Sequence, residues 1–401
     1  MNNRISTGMM FNQSINLMMA KQSKMNHLEQ QLATGKKLVS AKDDPVAAGT
    51  AVGLDRAVAE LERFERNGDV VQNRLGLQEN ALAQAGDMMG HITELPIQAN
   101  TPALSSSDLK AIASELKSVQ EGLLALANST DGTGRYLFGG TNDSEAPFKL
   151  SNGVVTYSGD QTQRQIEVAP DTFVKDVLPG SEIFLRIPTG DGRLDGSAAA
   201  GNTGTGVLTT FGQHAASGSW NGQSYTVRFT AADTYEVVDA TNTVVQTGAF
   251  KSGEDITFQG VSMRIEGEPA AGDSFGVGAA SSRDIFATLD GLISALDTAA
   301  DDPTAVAHQQ NVLQGALRDV ARASEKFIDA RAAGGAQLKA IDDAGALRDA
   351  NSVTLKTTLS AMRDLDYAEA IGQYQLEQIS LQAAQTIFTQ MQQMSLFNAI
   401  R

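Results

Sequence analysis

Two places in the chain put paired carboxylates where metal or acid–base chemistry would be sought. SAKDDPVAAG (40–49) carries Asp43 and Asp44 directly before Pro45, and ADDPTAVA (300–307) repeats the phrase with Asp301, Asp302 and Pro303. Adjacent residues rarely aim both carboxylates at one point, and no histidine or third acid stands beside either pair. Helix initiation explains the phrase more simply. An aspartate accepts hydrogen bonds from the free N–H groups of a first turn. Proline suits the first helical position, and a second acid favours the positive end of the helix dipole. Asp44 and Asp302 are therefore read as helix caps, with Pro45 and Pro303 opening the helices.

Other candidate chemistry is weaker. His27, His91, His214 and His308 lie far apart and the chain has no cysteine, so no metal site is expected. FGG at 138–140 lacks the Gly-Lys-Ser/Thr of a phosphate-binding loop and reads as a turn. Trp220, Tyr225 and Phe229 are the side chains of a sugar platform, but such residues more often form the core of a small β-domain. No cluster of titratable residues converges, so neither catalysis nor a cofactor is expected.

The elements that would position these residues fall into three zones. Residues 1–44 and 304–401 lack proline, whereas 131–282 hold 23 of the 38 glycines, the single tryptophan and four of the six tyrosines. Proline breaks helix interiors, so both ends are free to form long helices. Apolar residues recur there at helical spacing: Phe11, Ile15, Met18, Met25, Leu28 and Leu32, then a GKK interruption at 35–37, then Leu54, Leu61, Phe64, Val71, Leu75, Leu82 and Met89. A third helix opens at SSSDLK, capped by Ser107 or Asp108. Toward the C-terminus Leu313, Leu317, Val320, Phe327, Leu338, Ile341, Leu355, Leu359 and Met362 follow a seam like that of a coiled coil. The middle holds short alternating runs bounded by turn residues, among them VVTYSG, QIEVAP, SYTVRFT, TYEVVDA and VSMRIEG, as antiparallel strands require. The fold class is α+β: long N- and C-terminal helices packed as a coiled-coil-like bundle around a β-rich antiparallel insertion. The expected domains are terminal helices at 1–42 and 367–401, a helical bundle at 43–148 and 283–366, and a β-rich domain at 149–282. The last divides into two sub-domains near 197–206, where the chain is rich in Gly, Ala and Thr.

The net charge of −16 argues against a nucleic-acid partner, which needs concentrated Lys and Arg. No run of about 20 apolar residues exists for membrane insertion, and the N-terminus lacks the apolar core of a cleaved signal. The ends carry the strongest functional signal. Residues 378–400 contain no charge, and no acid precedes Glu29. A helix in water needs a polar face, so ends this apolar and uncharged point to self-assembly. The candidate interface is Ile5, Phe11, Ile15, Met18, Met25 and Leu28 with Leu376, Ile379, Ile387, Met391, Met394 and Phe397.

QQLATGKKLVSAKDDPVAAGTAVGLD, TELPIQANTPALSSSDLKAIASEL and AMRDLDYAEAIGQYQLEQISLQAAQTI together resemble the two ends of flagellin-superfamily chains. MNNRISTGMMFNQSINLMMAKQSKMNHLEQQLATGK and GRYLFGGTNDSEAPF are most similar to the hook-associated type 3 family within it. The resemblance spans roughly residues 1–148 and 283–401 and implies a structural subunit joining flagellar hook to filament. It further implies copies of the chain in a ring, a neighbouring hook-associated protein and filament flagellin as partners, and an export chaperone on the C-terminal segment. The location it implies is extracellular, reached without a cleaved signal peptide. A filament flagellin is the nearest rival reading, and a stalk-borne adhesin or carbohydrate-binding protein a more distant one.

Overall fold

The computed structural model of the chain describes residues 7–101, 104–151, 154–298, 300 and 302–398. Three helices open the chain: α1 (Thr7–Thr34), α2 (Pro45–Ala99) and α3 (Ser106–Ala127). Three more close it: α4 (Ile285–Asp297), α5 (Pro303–Arg363) and α6 (Tyr367–Asn398). Between them lie β1 (Phe148–Ser151), β2 (Val154–Tyr157), β3 (Gln165–Ala169), β4 (Thr172–Lys175), β5 (Ile187–Pro188), β6 (Leu194–Ala198) and β7 (Val207–Gln213). They are followed by β8 (Tyr225–Ala231), β9 (Thr234–Asp239), β10 (Val244–Ala249), β11 (Asp255–Phe258), β12 (Val261–Glu266), β13 (Ser274–Ala279) and β14 (Ser282–Arg283). The architecture is the expected one of long terminal helices around an antiparallel β insertion. The chain forms two compact units, one of Met1–Arg66 with Ala344–Arg401 and one of Asn67–Asp343. These limits fall inside α2 and α5.

Within the second unit, Phe138, Phe148, Phe184, Phe286 and Phe327 pack into one buried cluster. Phe184 meets Phe138, Phe148 and Phe327 edge-on at 5.3–5.5 Å, the geometry that the ring quadrupole favours. α3 begins two or three residues earlier than expected. Ser105 is its cap and Asp108 closes the box by accepting from the Ser105 N–H, so Asp108 is the third helical residue rather than the cap.

The β domain from Leu194 onward is a sandwich. One sheet has the order β10-β9-β8-β13-β6 and the other β11-β12-β7. Leu194 and Leu208 lie on either side of the 197–206 stretch and share one apolar core with Val227, Phe229, Val261, Met263 and Phe275. That stretch therefore joins two sheets of a single sandwich rather than parting two sub-domains. Its small residues serve close approach. A Cβ on Gly204 would stand 2.3 Å from the Ala270 nitrogen. Tyr225 and Phe229 are core residues of the sandwich, and Trp220 packs against it, so the three do not form a sugar platform.

Backbone in and beside the strands is closed by side-chain amides. Asn311 on α5 accepts from the Leu208 N–H and donates to the Gly206 carbonyl, each at 2.9 Å. Asn128 brackets Phe148 in the same way, and Asn202 brackets Ser274. Gln78, buried on α2, donates to the Leu178 carbonyl at 3.2 Å and accepts from its N–H at 3.3 Å. A carboxamide has the donor and acceptor of a peptide unit, so each bracket satisfies a backbone N–H and C=O as another peptide would. Gln78→Glu keeps the shape, deletes the donor and sets a carboxylate against a carbonyl. It is expected to cost about 2–3 kcal/mol, seen as a lower urea midpoint at unchanged slope.

Candidate assembly interface

The first unit sets α1 and α6 side by side and antiparallel. Three ties spread along their length define the register. Phe11 meets Phe388 with ring centroids 5.0 Å apart. Lys21 and Lys24 converge on Glu377 at 3.0 and 2.7 Å. The Tyr374 hydroxyl donates to Glu29 at 2.8 Å. The hydrogen bonds from Lys24 and Lys21 hold the Glu377 carboxyl below its ordinary range. Glu377 is the last charge before the uncharged run, so the polar register ends where the apolar segment begins.

The pairing separates the candidate residues into two sets. Ile15, Met18 and Met25 are half-buried on α1, on the same stripe as buried Leu28 and as Lys21, which reaches α6. Phe11, on that stripe, stacks on α6. These α1 residues seal the chain against itself. On α6, Leu381 is buried, whereas Leu376, Ile379 and Ile387 remain 65, 64 and 58% exposed. With exposed Ala383 they follow a 3-4-4 spacing, which places all four on one side of the helix. The side facing α1 carries Tyr374, Glu377, Leu381 and Phe388 instead. α6 thus has two apolar flanks, one used within the chain and one left to solvent. Met391 is half-buried. Ile5 lies outside the described residues, as do the side chains of Met394 and Phe397. Exposed Met9, Met10, Leu17 and Met19 add apolar surface on α1, a concentration that marks contact surfaces in soluble proteins. Their mixed spacing with Asn and Gln hid them from a periodicity reading.

The aspartate–proline phrases stand at helix starts. Asp44 Oδ1 accepts from the Val46 and Ala47 N–H groups at 3.0 and 2.9 Å, and α2 begins at Pro45. Asp302 accepts from the Ala305 N–H at 2.8 Å, and α5 begins at Pro303. Asp43 does not serve the helix dipole. Its carboxylate turns back to the N–H groups of Val39 and Ser40 at 3.0 and 2.7 Å, with His27 at 3.6 Å. The Ser40 N–H is the main reason its pKa is lowered. One acid starts the helix and its neighbour closes the preceding turn. Asp301 lies outside the described residues. Among the described residues no group of three metal-ligating side chains converges, and no helix is long and apolar enough to cross a membrane.

Terminal helices paired antiparallel, a free apolar flank on one of them and an antiparallel β insertion between them in the chain are the architecture expected of a flagellin-like chain. The model of the bacterial flagellin N-terminal helical region matches residues 5–143. The chain belongs to the FlgL family, the family of flagellar hook-associated protein 3. It is 61% identical to Xanthomonas campestris FlgL, whose crystal structure matches 77% of this chain and 99% of that one with a TM-score of 0.74. It is 25% identical to flagellar hook-associated protein 3 of Escherichia coli K12 over 98% of each chain. The flagellar junction protein FlgL of Legionella pneumophila is 26% identical, with a TM-score of 0.66 over 72% of this chain and 98% of that one.

Proposed function

We propose that the chain is a junction subunit, joining hook to filament through the packing of its terminal helices. The observation that carries this reading is the unpaired flank of α6. Leu376, Ile379 and Ile387 stand in solvent on a helix whose other side is already sealed by α1. Burying each against a neighbouring subunit gains about 1.5–3 kcal/mol. Repeated around a ring of identical copies, that gain offsets the ordering of the ends. The junction protein of Legionella pneumophila, similar in sequence and fold, supports the same reading. Residues 1–42 and 367–401 serve axial assembly in this scheme, 43–148 and 283–366 form the surrounding helical layer, and 149–282 face outward. The partners are further copies of the chain, a neighbouring hook-associated protein and filament flagellin. An export chaperone covers the uncharged C-terminal segment before assembly, and the subunit works outside the cell after export. The role is geometric, and no catalytic step belongs to it.

The double variant Leu376→Asp with Ile379→Asp tests the reading. Both side chains face solvent, so the purified monomer is expected to melt within the range of neutral surface changes, about 0.5 kcal/mol. Filament attachment in a strain lacking its own junction protein is expected to disappear. Normal attachment by the double variant would remove the α6 flank from the interface. Long filaments formed by the purified native chain alone would favour a filament flagellin instead.

A further inference from the structure

The chain contains three Asn-Gly pairs: Asn67–Gly68, Asn152–Gly153 and Asn221–Gly222. In such a pair the backbone nitrogen of the glycine can reach the side-chain carbonyl before it, because no glycine side chain stands in the way. Asn152 and Gly153 lie outside the described residues. The other two pairs have opposite settings. Asn67 is on α2, where its amide donates to the Glu167 carbonyl at 3.0 Å. The Gly68 N–H is inside the same helix, whose ladder uses each interior N–H.

Asn221 is exposed in the turn that leads into β8. Gly222 has φ +82°, and a Cβ there would meet nothing within 4 Å. Its N–H donates to no group among the described residues. The Asn221 carboxamide is held by its oxygen. Oδ1 accepts from the Gln223 N–H at 3.0 Å and from the Tyr225 hydroxyl at 3.2 Å. Tyr225 is buried, with its ring edge-on to Phe258 at 5.7 Å, so the sandwich core fixes the hydroxyl. Trp220 also closes the turn, its indole N–H donating to the Gln223 carbonyl at 2.9 Å.

Two donors on one carbonyl oxygen stabilise the negative oxygen that forms when a nucleophile adds to its carbon. The nucleophile next in the chain is the unhindered Gly222 nitrogen. We propose that Asn221–Gly222 is a site of self-modification, with the Gln223 N–H and the Tyr225 hydroxyl as its oxyanion donors. The Gly222 nitrogen gives its proton to hydroxide and bonds to Asn221 Cγ. The tetrahedral oxyanion collapses, the Cγ–Nδ2 bond breaks, and the nitrogen takes a proton from water and leaves as ammonia. Water then opens the cyclic imide at either carbonyl, leaving aspartate or isoaspartate at 221. No electrons are transferred, and water is the only co-reactant. Each conversion adds a negative charge to the β domain, so that charge records the age of the chain. Isoaspartate also puts one more carbon into the backbone between Trp220 and Gln223, which breaks the indole bond. The site does not depend on the junction reading.

Peptide mass mapping of the full-length protein, incubated at mildly alkaline pH, tests the proposal. In the folded chain Asn221 is expected to convert at least about tenfold faster than Asn67, whose Gly68 N–H must first be freed by local helix opening. In urea the two are expected to agree within about threefold, because the fold that distinguishes them is gone. Tyr225→Phe keeps the buried ring and removes one donor. It is expected to slow Asn221 about two- to tenfold in the folded protein and to leave the rate in urea unchanged. Trp220 is the single tryptophan, so its emission is expected to change in step with isoaspartate. A folded-state rate at Asn221 no higher than at Asn67 overturns the site. A folded Tyr225→Phe rate equal to or above the native one overturns the part assigned to the hydroxyl. Emission that stays constant through complete conversion overturns the opening of the turn.

Discussion

Deleting residues 370–401 is expected to leave a folded protein that no longer attaches filaments. The cut removes nearly all of α6 and with it Tyr374, Glu377 and Phe388, the partners of Glu29, Lys21, Lys24 and Phe11. α1 then loses the surface that buries Leu28 and cannot hold its apolar stripe alone, because an isolated helix depends on packing rather than propensity. The second unit, Asn67–Asp343, keeps its aromatic cluster, its sandwich core and its amide brackets, all of them within that range. Calorimetry is expected to show one cooperative transition retained near the native temperature, while loss at the ends is seen as reduced helical circular dichroism. Swimming in a strain that depends on the truncated chain is expected to fall to the level of a strain without the protein. A truncated chain that restored swimming would place the interface elsewhere than the C-terminal helix.

How far the sequence carried depended on whether a feature was local. The end of α1 before Gly35 was legible because glycine and two lysines interrupt an apolar period. The helix starts at Pro45 and Pro303 were legible because capping is decided within four residues. Alternation over five residues marked β3, β8, β9 and β12. β6 and β13 were passed over because Gly196, Gly276 and Gly278 stand where branched side chains usually mark a strand. Gly196 has a packing reason, since a Cβ there would strike the Phe211 ring at 2.7 Å. Nothing local could assign Gln78, Asn128 or Asn311 to distant backbone, because each bracket joins residues far apart in the chain or lying beyond a turn. The unity of the sandwich across 197–206 was hidden for the same reason, since Leu194 and Leu208 meet only through the other strands. At the candidate interface the sequence identified apolar residues without their direction. Phe11, Ile15, Met18, Met25 and Leu28 face inward, and Leu376, Ile379 and Ile387 face outward. Periodicity finds a stripe on a helix but does not say which neighbour covers it.

Arg74 carries the largest single-residue effect expected outside the interface. Its guanidinium, on α2, lies between two carboxylates from different parts of the second unit. Nε is 3.2 and 3.1 Å from the two oxygens of Asp176, which follows β4, and Nη1 is 2.9 Å from Asp131, in the turn after α3. All three side chains are less than a tenth exposed. Arg74→Met fills similar volume but leaves two carboxylates without their cation, Asp176 among them only 2% exposed, and breaking a buried pair in this way costs about 3–5 kcal/mol. Asp176→Asn keeps an acceptor for Nε and is expected to cost less. The net worth of the triad is smaller than the cost of breaking it. Arg74 Nη2 is buried with no hydrogen-bond partner among the described residues, and replacing buried ions together by apolar groups is often neutral. The pH dependence separates charge from packing. Burial works to raise the Asp131 carboxyl, but hydrogen bonds from the Thr133 hydroxyl and N–H and the Arg135 N–H, with the Arg74 charge, outweigh it and hold the pKa below its ordinary value. A carboxyl lowered in the folded state contributes stability that is complete above its unfolded pKa of about 3.9 and is lost as pH falls through the lower folded value. Native Tm is therefore expected to hold on acidification to about pH 4 and to fall below it as this contribution is lost. Without Arg74 the folded pKa of Asp131 moves back toward the unfolded one, so the decline still begins at about pH 4 but is smaller and ends at higher pH. A constant drop in Tm across that range, with no movement of the acid limb, would mean that Arg74 acts there through its bulk rather than its charge.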